Sequence, residues 1–166
     1  MHTTEELRQA REKYESYDPS CWTKAYFDAI SGGFNVYHKS HQFTLVGGGG
    51  DAEQIVGLLL AQSNGKQVEF LPEQGQGKGM PDLRFEGQTW DVKFIEKASE
   101  DTIRKHIKDA RKADNALFYW GNADKLMELH SAVNRDICKY QKINELHKIP
   151  NIYYMNNGLL KLLWHK

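Results

Sequence analysis

Residues 80–95, MPDLRFEGQTWDVKFI, alternate apolar and polar side chains on both sides of Glu86-Gly87. A period of two belongs to a strand, and a two-residue turn between two such runs predicts an antiparallel hairpin. In that register residue 85 faces 88, residue 83 faces 90, and Asp82 faces Asp91. Leu83, Phe85, Trp90, Val92 and Phe94 then share one face of the hairpin, while Asp82, Arg84, Thr89, Asp91, Lys93 and Ile95 share the other.

The remaining segments fix the fold class. Residues 4–17 form helix, either on the surface or as a mobile arm, and the spacing of Trp22, Ala25, Tyr26, Ala29 and Ile30 predicts a second helix that Ser31-Gly32-Gly33 stops. Four consecutive glycines, Gly47–Gly50, suggest a hinge between an N-terminal helical arm (1–46) and a core domain (51–166). The core opens with a helix from Asp51, its expected N-cap, to a stop at Asn64-Gly65. A strand at QVEFLPE and the hairpin follow, then a helix capped by Ser99 with Glu100 and Asp101 at its positive end. The strand ALFYW, a helix over 123–140 and the strands NIYYM and LLKLLW complete the order α-β-β-β-α-β-α-β-β. Such interleaving implies an α/β (α+β) architecture, a central mixed sheet flanked by helices.

Composition removes several classes of function. Lys+Arg and Asp+Glu both number 22, so the formal net charge is zero; a uniformly basic nucleic-acid coat is excluded, whereas a local basic patch is not. The N-terminus is charged without an apolar core, so no signal peptide is expected, and no apolar run approaches the length of a membrane span. The two cysteines, Cys21 and Cys138, read as free, buried thiols in a reducing compartment, consistent with a cytoplasmic site of action. No Cys-x-x-Cys or His-x-x-x-His spacing marks a zinc site.

The polar face of the hairpin admits two readings. It is either an ordinary wet face or a gathering of charge for chemistry. Opposed carboxylates destabilise a strand pair and resist joint ionisation, and a divalent cation between them removes both costs. Mg²⁺ or Mn²⁺ suits two carboxylates plus water and a phosphate oxygen, with Zn²⁺ a further candidate. Lys93, on the same face, is placed to orient a water or to offset charge growing on phosphorus.

Pro81-Asp82 followed across a hairpin by Asp91-Val92-Lys93 resembles the PD-(D/E)XK nuclease motif, within that family's order of helix, hairpin, helix and strand. The longer pattern from Gly65 to Ile95 and on to Trp120 is similar to the C-terminal nuclease toxin domains of contact-dependent growth inhibition systems in bacteria, and to toxin-like domains attached to phage head proteins. The resemblance covers about residues 51–120, echoes weakly to 164 and leaves 1–46 uncovered. It implies a metal-dependent endonuclease, a hydrolase of phosphodiester bonds. Asp82, Asp91, Lys93 and Glu53 would be catalytic, and Asp82, Asp91, Glu53 and the Val92 carbonyl would hold the metal. Glu73 is a spare candidate for the Glu53 role. The resemblance favours RNA, tRNA included, over DNA, and implies an inhibitory immunity protein as partner.

Arg104, Lys105, Lys108, Arg111 and Lys112 make a basic helix face that is either solvated or set against phosphates. Lys78, in the Gly-rich loop GQGKGM, joins Arg104, Lys105 and Lys108 as a candidate for substrate binding. His38 and His41 read as surface histidines, with metal-independent ribonuclease chemistry as the alternative; His106 is a candidate for substrate contact or plain packing. A nucleic-acid-binding or phage-head-associated module that keeps the fold without cutting is the other alternative. Replacing Asp91 by Ala is expected to abolish cleavage and to leave the fold as stable or more so, by relieving a carboxylate repulsion.

Overall fold

The computed structural model describes residues 2–43, 49–73, 79–121 and 124–166. The anticipated α/β class holds: helices flank a single eight-stranded mixed sheet. Its elements are α1 (Thr4–Ser16), β1 (Trp22–Phe27), β2 (Phe34–His38), α2 (Gly49–Asn64), β3 (Gln67–Phe70), β4 (Leu83–Phe85), β5 (Gln88–Phe94), α3 (Glu100–Asp109), β6 (Asn115–Tyr119), α4 (Leu126–Lys142), β7 (Asn151–Asn156) and β8 (Leu159–Trp164). The strands lie side by side in chain order. β2/β3, β5/β6 and β6/β7 are parallel and the other neighbours antiparallel. Among the described residues no helix is long and apolar enough to cross a membrane.

Alternation along the strands makes two cores, one on each face. Val56 and Leu60 of α2 pack on Val68, Phe70, Leu83, Phe85, Trp90, Val92 and Leu117. On the opposite face Ile103 and Ile107 of α3 and Leu129 and Val133 of α4 cover Ile95, Ala116, Phe118 and Ile152. Tyr14 of α1 covers Phe34 and Val36 on that same side of the sheet. Gly33 is required where α2 passes β2, because a Cβ there would stand 2.1 Å from the Ala61 carbonyl oxygen.

Several expectations are corrected. The helix expected over residues 22–30 is strand β1, paired antiparallel with β2. Its supposed apolar stripe is not one buried face, since Trp22 packs against the Tyr14 cluster while Ile30 is 84% exposed. Asp28 instead organises the connecting turn, accepting from the Ser31 amide at 3.0 Å and from the Ser31 hydroxyl. The expected helical arm thus contains two strands, and β2 bonds directly to β3, so the sheet runs on across the proposed boundary with the core. Helix α2 begins at Gly49, which puts Asp51 in the first turn rather than at the N-cap. Of the glycines expected to form a hinge, Gly49 and Gly50 are helical; Gly47 and Gly48 lie outside the described residues. Cys21 and Cys138 are both exposed, not buried. Ser99 caps α3 as anticipated, accepting from the Thr102 amide at 3.3 Å.

Candidate active site

The hairpin has the expected register: Phe85 faces Gln88, Arg84 faces Thr89 and Leu83 faces Trp90. Glu86 and Gly87 take φ values of 51° and 75°, the paired positive angles of a turn whose twist matches its strands. The ladder then stops one pair short of the two aspartates. The Asp82 amide donates to the Trp90 carbonyl at 3.0 Å, and its side chain reaches further along β5, where Oδ2 accepts from the Val92 amide at 2.7 Å. Pro81 accounts for the break. In a continued antiparallel ladder it would exchange hydrogen bonds with Val92, and proline has no N–H to give. The N–H and C=O of one strand residue point to the same edge. The Val92 carbonyl therefore faces the side on which β4 has ended, beside Asp82.

The polar face of the hairpin is divided. Arg84 lies in solvent, whereas Asp91 and Ile95 are buried beneath the helical layer. The Asp91 side chain is 1% exposed, with Lys93 Nζ 2.6 Å from Oδ2 and Lys112 Nζ 3.1 Å from Oδ1. Both ammonium groups are within contact range but off the hydrogen-bonding direction, so neither buried oxygen has a well-directed partner. Lys112 arrives from the 3-10 turn Ala110–Lys112 that ends α3.

Burial first, then the neighbouring Asp91 carboxylate, then the charge of Glu53, hold the Asp82 pKa well above the usual carboxylate range, against the Val92 amide. Burial alone would depress Lys112, but Asp91, Asp82 and Glu53 outweigh it and raise its pKa. His106 is pushed down by burial and then by Lys93, which keeps the neighbouring imidazole neutral. Glu53, half-buried on α2, receives His41 Nε2 at 3.3 Å. Burial works against charging His41, yet Glu53, the Leu71 carbonyl and Glu73 together raise its pKa. Nδ1–H donates to the Leu71 carbonyl at 2.8 Å, and when the ring is charged Nε2–H donates to Glu53 at 3.3 Å.

Of the residues anticipated from sequence, Asp82, Asp91, Lys93 and the backbone at Val92 therefore come together, with Glu53 close enough to bear on Asp82. Glu73 reaches His41 Nδ1 at 3.7 Å. Arg104 does not join them. It bonds Asp136 of α4 at 2.9 Å and stands 3.9 Å from Asp101, a link between α3 and α4 rather than a free phosphate ligand. Lys105 and Lys108 are exposed, and Lys78 lies outside the described residues. His41 is buried, not at the surface, and His38 bonds Ser40 at 2.7 Å. Two members of the cluster were named for other roles, Lys112 in the basic helix face and His41 as a surface histidine or metal-independent catalyst. Lys112 was hidden in a run of cations, and His41 in a polar segment that gives no sign of its burial.

The donors suit a hard divalent cation. Asp82 and Asp91 offer carboxylate oxygens, those of Asp91 without a directed hydrogen bond among the described residues, and Val92 offers a carbonyl on the edge where the β4 ladder has ended. Among the described residues no three His, Cys, Asp or Glu side chains gather closely enough to hold a metal by themselves, so a bound ion would need the backbone oxygen and water as further ligands. No family model matches the chain, and neither a curated protein nor a solved structure matches it.

Proposed function

We propose that the chain is a metal-dependent nuclease that hydrolyses phosphodiester bonds. The observation that carries this reading is the buried Asp91, adjoined by a protonation-prone Asp82 and by two lysine ammonium groups. Asp82, Asp91 and the Val92 carbonyl would hold Mg²⁺ or Mn²⁺, with Glu53 as a fourth, outer donor. When bound, such an ion supplies Lewis acidity toward a phosphoryl oxygen and a more acidic water.

The chain's own groups divide the remaining work. Asp82 is held beside Asp91 by the Val92 amide, so the two carboxyls are oriented before any ligand arrives. Lys93 and Lys112 lie on either oxygen of Asp91. Their stems are long enough for the ammonium groups to turn from Asp91 toward the non-bridging oxygens of a phosphodiester, where they offset charge that grows in the transition state. His106, whose pKa burial and Lys93 lower, would take or relay a proton. Exposed Lys105 and Lys108 extend the positive surface outward for the flanking phosphates. RNA as the preferred polymer, a toxin role and an inhibitory protein partner follow from the resemblance alone and belong to the same proposal.

The test is cleavage of a tRNA and of a plasmid in Mg²⁺, in Mn²⁺ and in EDTA, by the wild type and by Lys93→Met. Cutting that needs the metal and falls about 10²-fold or more in the variant is expected, the usual cost of removing one transition-state charge partner. Undiminished cutting in EDTA would overturn the reading and favour metal-independent chemistry. No cutting of either polymer, with binding intact, would favour the non-catalytic module.

A further inference from the structure

We infer that His41 is a positioning residue for Glu53, aiming that carboxylate at the Asp82–Asp91 pair; the inference rests on the nuclease reading of the site. The His41 ring is fixed from three sides. Nδ1 is 2.8 Å from the Leu71 carbonyl, an oxygen that only accepts, so that nitrogen carries a proton and the ring cannot flip without losing the bond. The rings of Phe43 and Phe70 pack against it at centroid separations of 4.8 and 5.1 Å. The turn that follows β2 is closed by the His41 amide on the His38 carbonyl at 2.9 Å, which sets the backbone from which the side chain departs.

What remains free to point is Nε2, and it points at Glu53 Oε2, 3.3 Å away. Among the described residues His41 is the one side chain that bonds Glu53. A flexible glutamate near the start of α2 is thereby given one direction, and in that direction its charge bears on both Asp82 and Lys112. A histidine serving packing alone would be satisfied by Leu71 and the two phenylalanines, with no carboxylate at its second nitrogen. The arrangement is that of a ligand oriented by an outer hydrogen bond. It also gives the segment after β2, which the nuclease resemblance does not cover, a part in the site.

Two isosteres separate the bonds. In His41→Gln the amide nitrogen reaches the position of Nε2 and keeps Glu53; in His41→Asn it reaches that of Nδ1 and keeps Leu71. The full chain and each variant are titrated with Mn²⁺ in a calorimeter, melted, and assayed for kcat and KM on one cleavable RNA. Positioning through Glu53 predicts that Gln stays within about 3-fold of wild type in Mn²⁺ affinity and kcat, while Asn loses about 10- to 100-fold in one or both with KM little changed, as outer-shell substitutions do. Equal losses in both variants, or a better Asn than Gln, would mean a packing role and overturn the inference. Should either variant fail to fold, the nitrogen-15 shift of His41 Nε2 decides: it moves on Glu53→Gln if the bond is made in solution, and an unmoved signal overturns the inference. A wild type that neither binds Mn²⁺ nor cuts removes the nuclease reading instead, whatever the variants do.

Discussion

Replacing Asp91 by Asn, an isostere without the charge, should destabilise the metal-free protein. Opposed carboxylates alone would argue the reverse, since removing one relieves the other. The surroundings of Asp91 change the sign. Asp82 answers part of the repulsion by holding its proton more tightly than a free carboxyl, which leaves less to be relieved. Against that small gain stand two attractions: Lys93 at 2.6 Å and Lys112 at 3.1 Å, whose side chains are 16% and 22% exposed. Removing one partner of a buried ion pair costs about 3–5 kcal/mol. Here the lysine stems let the ammonium groups slide toward water, which reduces the loss to about 2–3 kcal/mol. For a chain of this length each kcal/mol moves the midpoint by about 2–4 °C, so a fall of about 5–10 °C is expected. The assay is a thermal melt in EDTA at neutral pH, repeated with Lys93→Met and with the double variant, which should recover part of the loss by removing the stranded cation. An Asp91→Asn protein that melts at or above the wild type would refute the claim that Asp91 is the counter-ion of both lysines.

The pH dependence of Asp82 has the opposite sign to that of an ordinary paired carboxylate. Its folded pKa lies above the unfolded value of 3.8, so its contribution to stability is complete below that pH and is lost as pH rises through the folded pKa. Asp82→Asn, which still offers an oxygen to the Val92 amide, should therefore melt close to the wild type at about pH 4 and above it at about pH 8 in EDTA, with the gap widening between. A gap that stays constant or narrows with pH would contradict the assignment. Arg104→Ala strands the buried Asp136 and should cost about 3 kcal/mol in urea titration, while the protein that stays folded cleaves normally. Lys105→Ala and Lys108→Ala should do the converse. Their stability stays within about 0.5 kcal/mol, as for exposed side chains elsewhere, while substrate binding weakens and its salt dependence becomes shallower.

Local rules reached some of this and could not reach the rest. The hairpin register was legible because the side-chain period and the Glu86-Gly87 turn both lie within the segment they determine. The cap at Ser99 is equally local. Strand β1 was not legible, because Trp22, Ala25, Tyr26, Ala29 and Ile30 satisfy a helical spacing; it is strand because its hydrogen bonds go to β2, a choice that no residue inside the segment records. Arg104 and Lys112 looked alike in one run of cations. They part company because α3 ends at Asp109 and the tighter 3-10 turn swings Lys112 onto Asp91, while Arg104 faces α4.

Stability alone gives no reason for Asp82 to be a carboxylate. Among the described residues the one hydrogen bond to its side chain comes from the Val92 amide, and an asparagine oxygen would accept that bond with no carboxyl to ionise. Nor does the fold require Asp91 with its two lysines, since buried ion pairs are commonly replaced by apolar groups of similar volume at no loss. A structural role would leave these charges as an expense with nothing to offset it. Under the proposed function, a divalent cation drawn to Asp82, Asp91 and the Val92 carbonyl would change the sign of the Asp82 penalty and would free Lys93 and Lys112 from Asp91 to meet an anionic substrate. One such ligand would account for the raised carboxyl, the ladder broken at a proline and the doubled lysines, features that otherwise need three separate explanations.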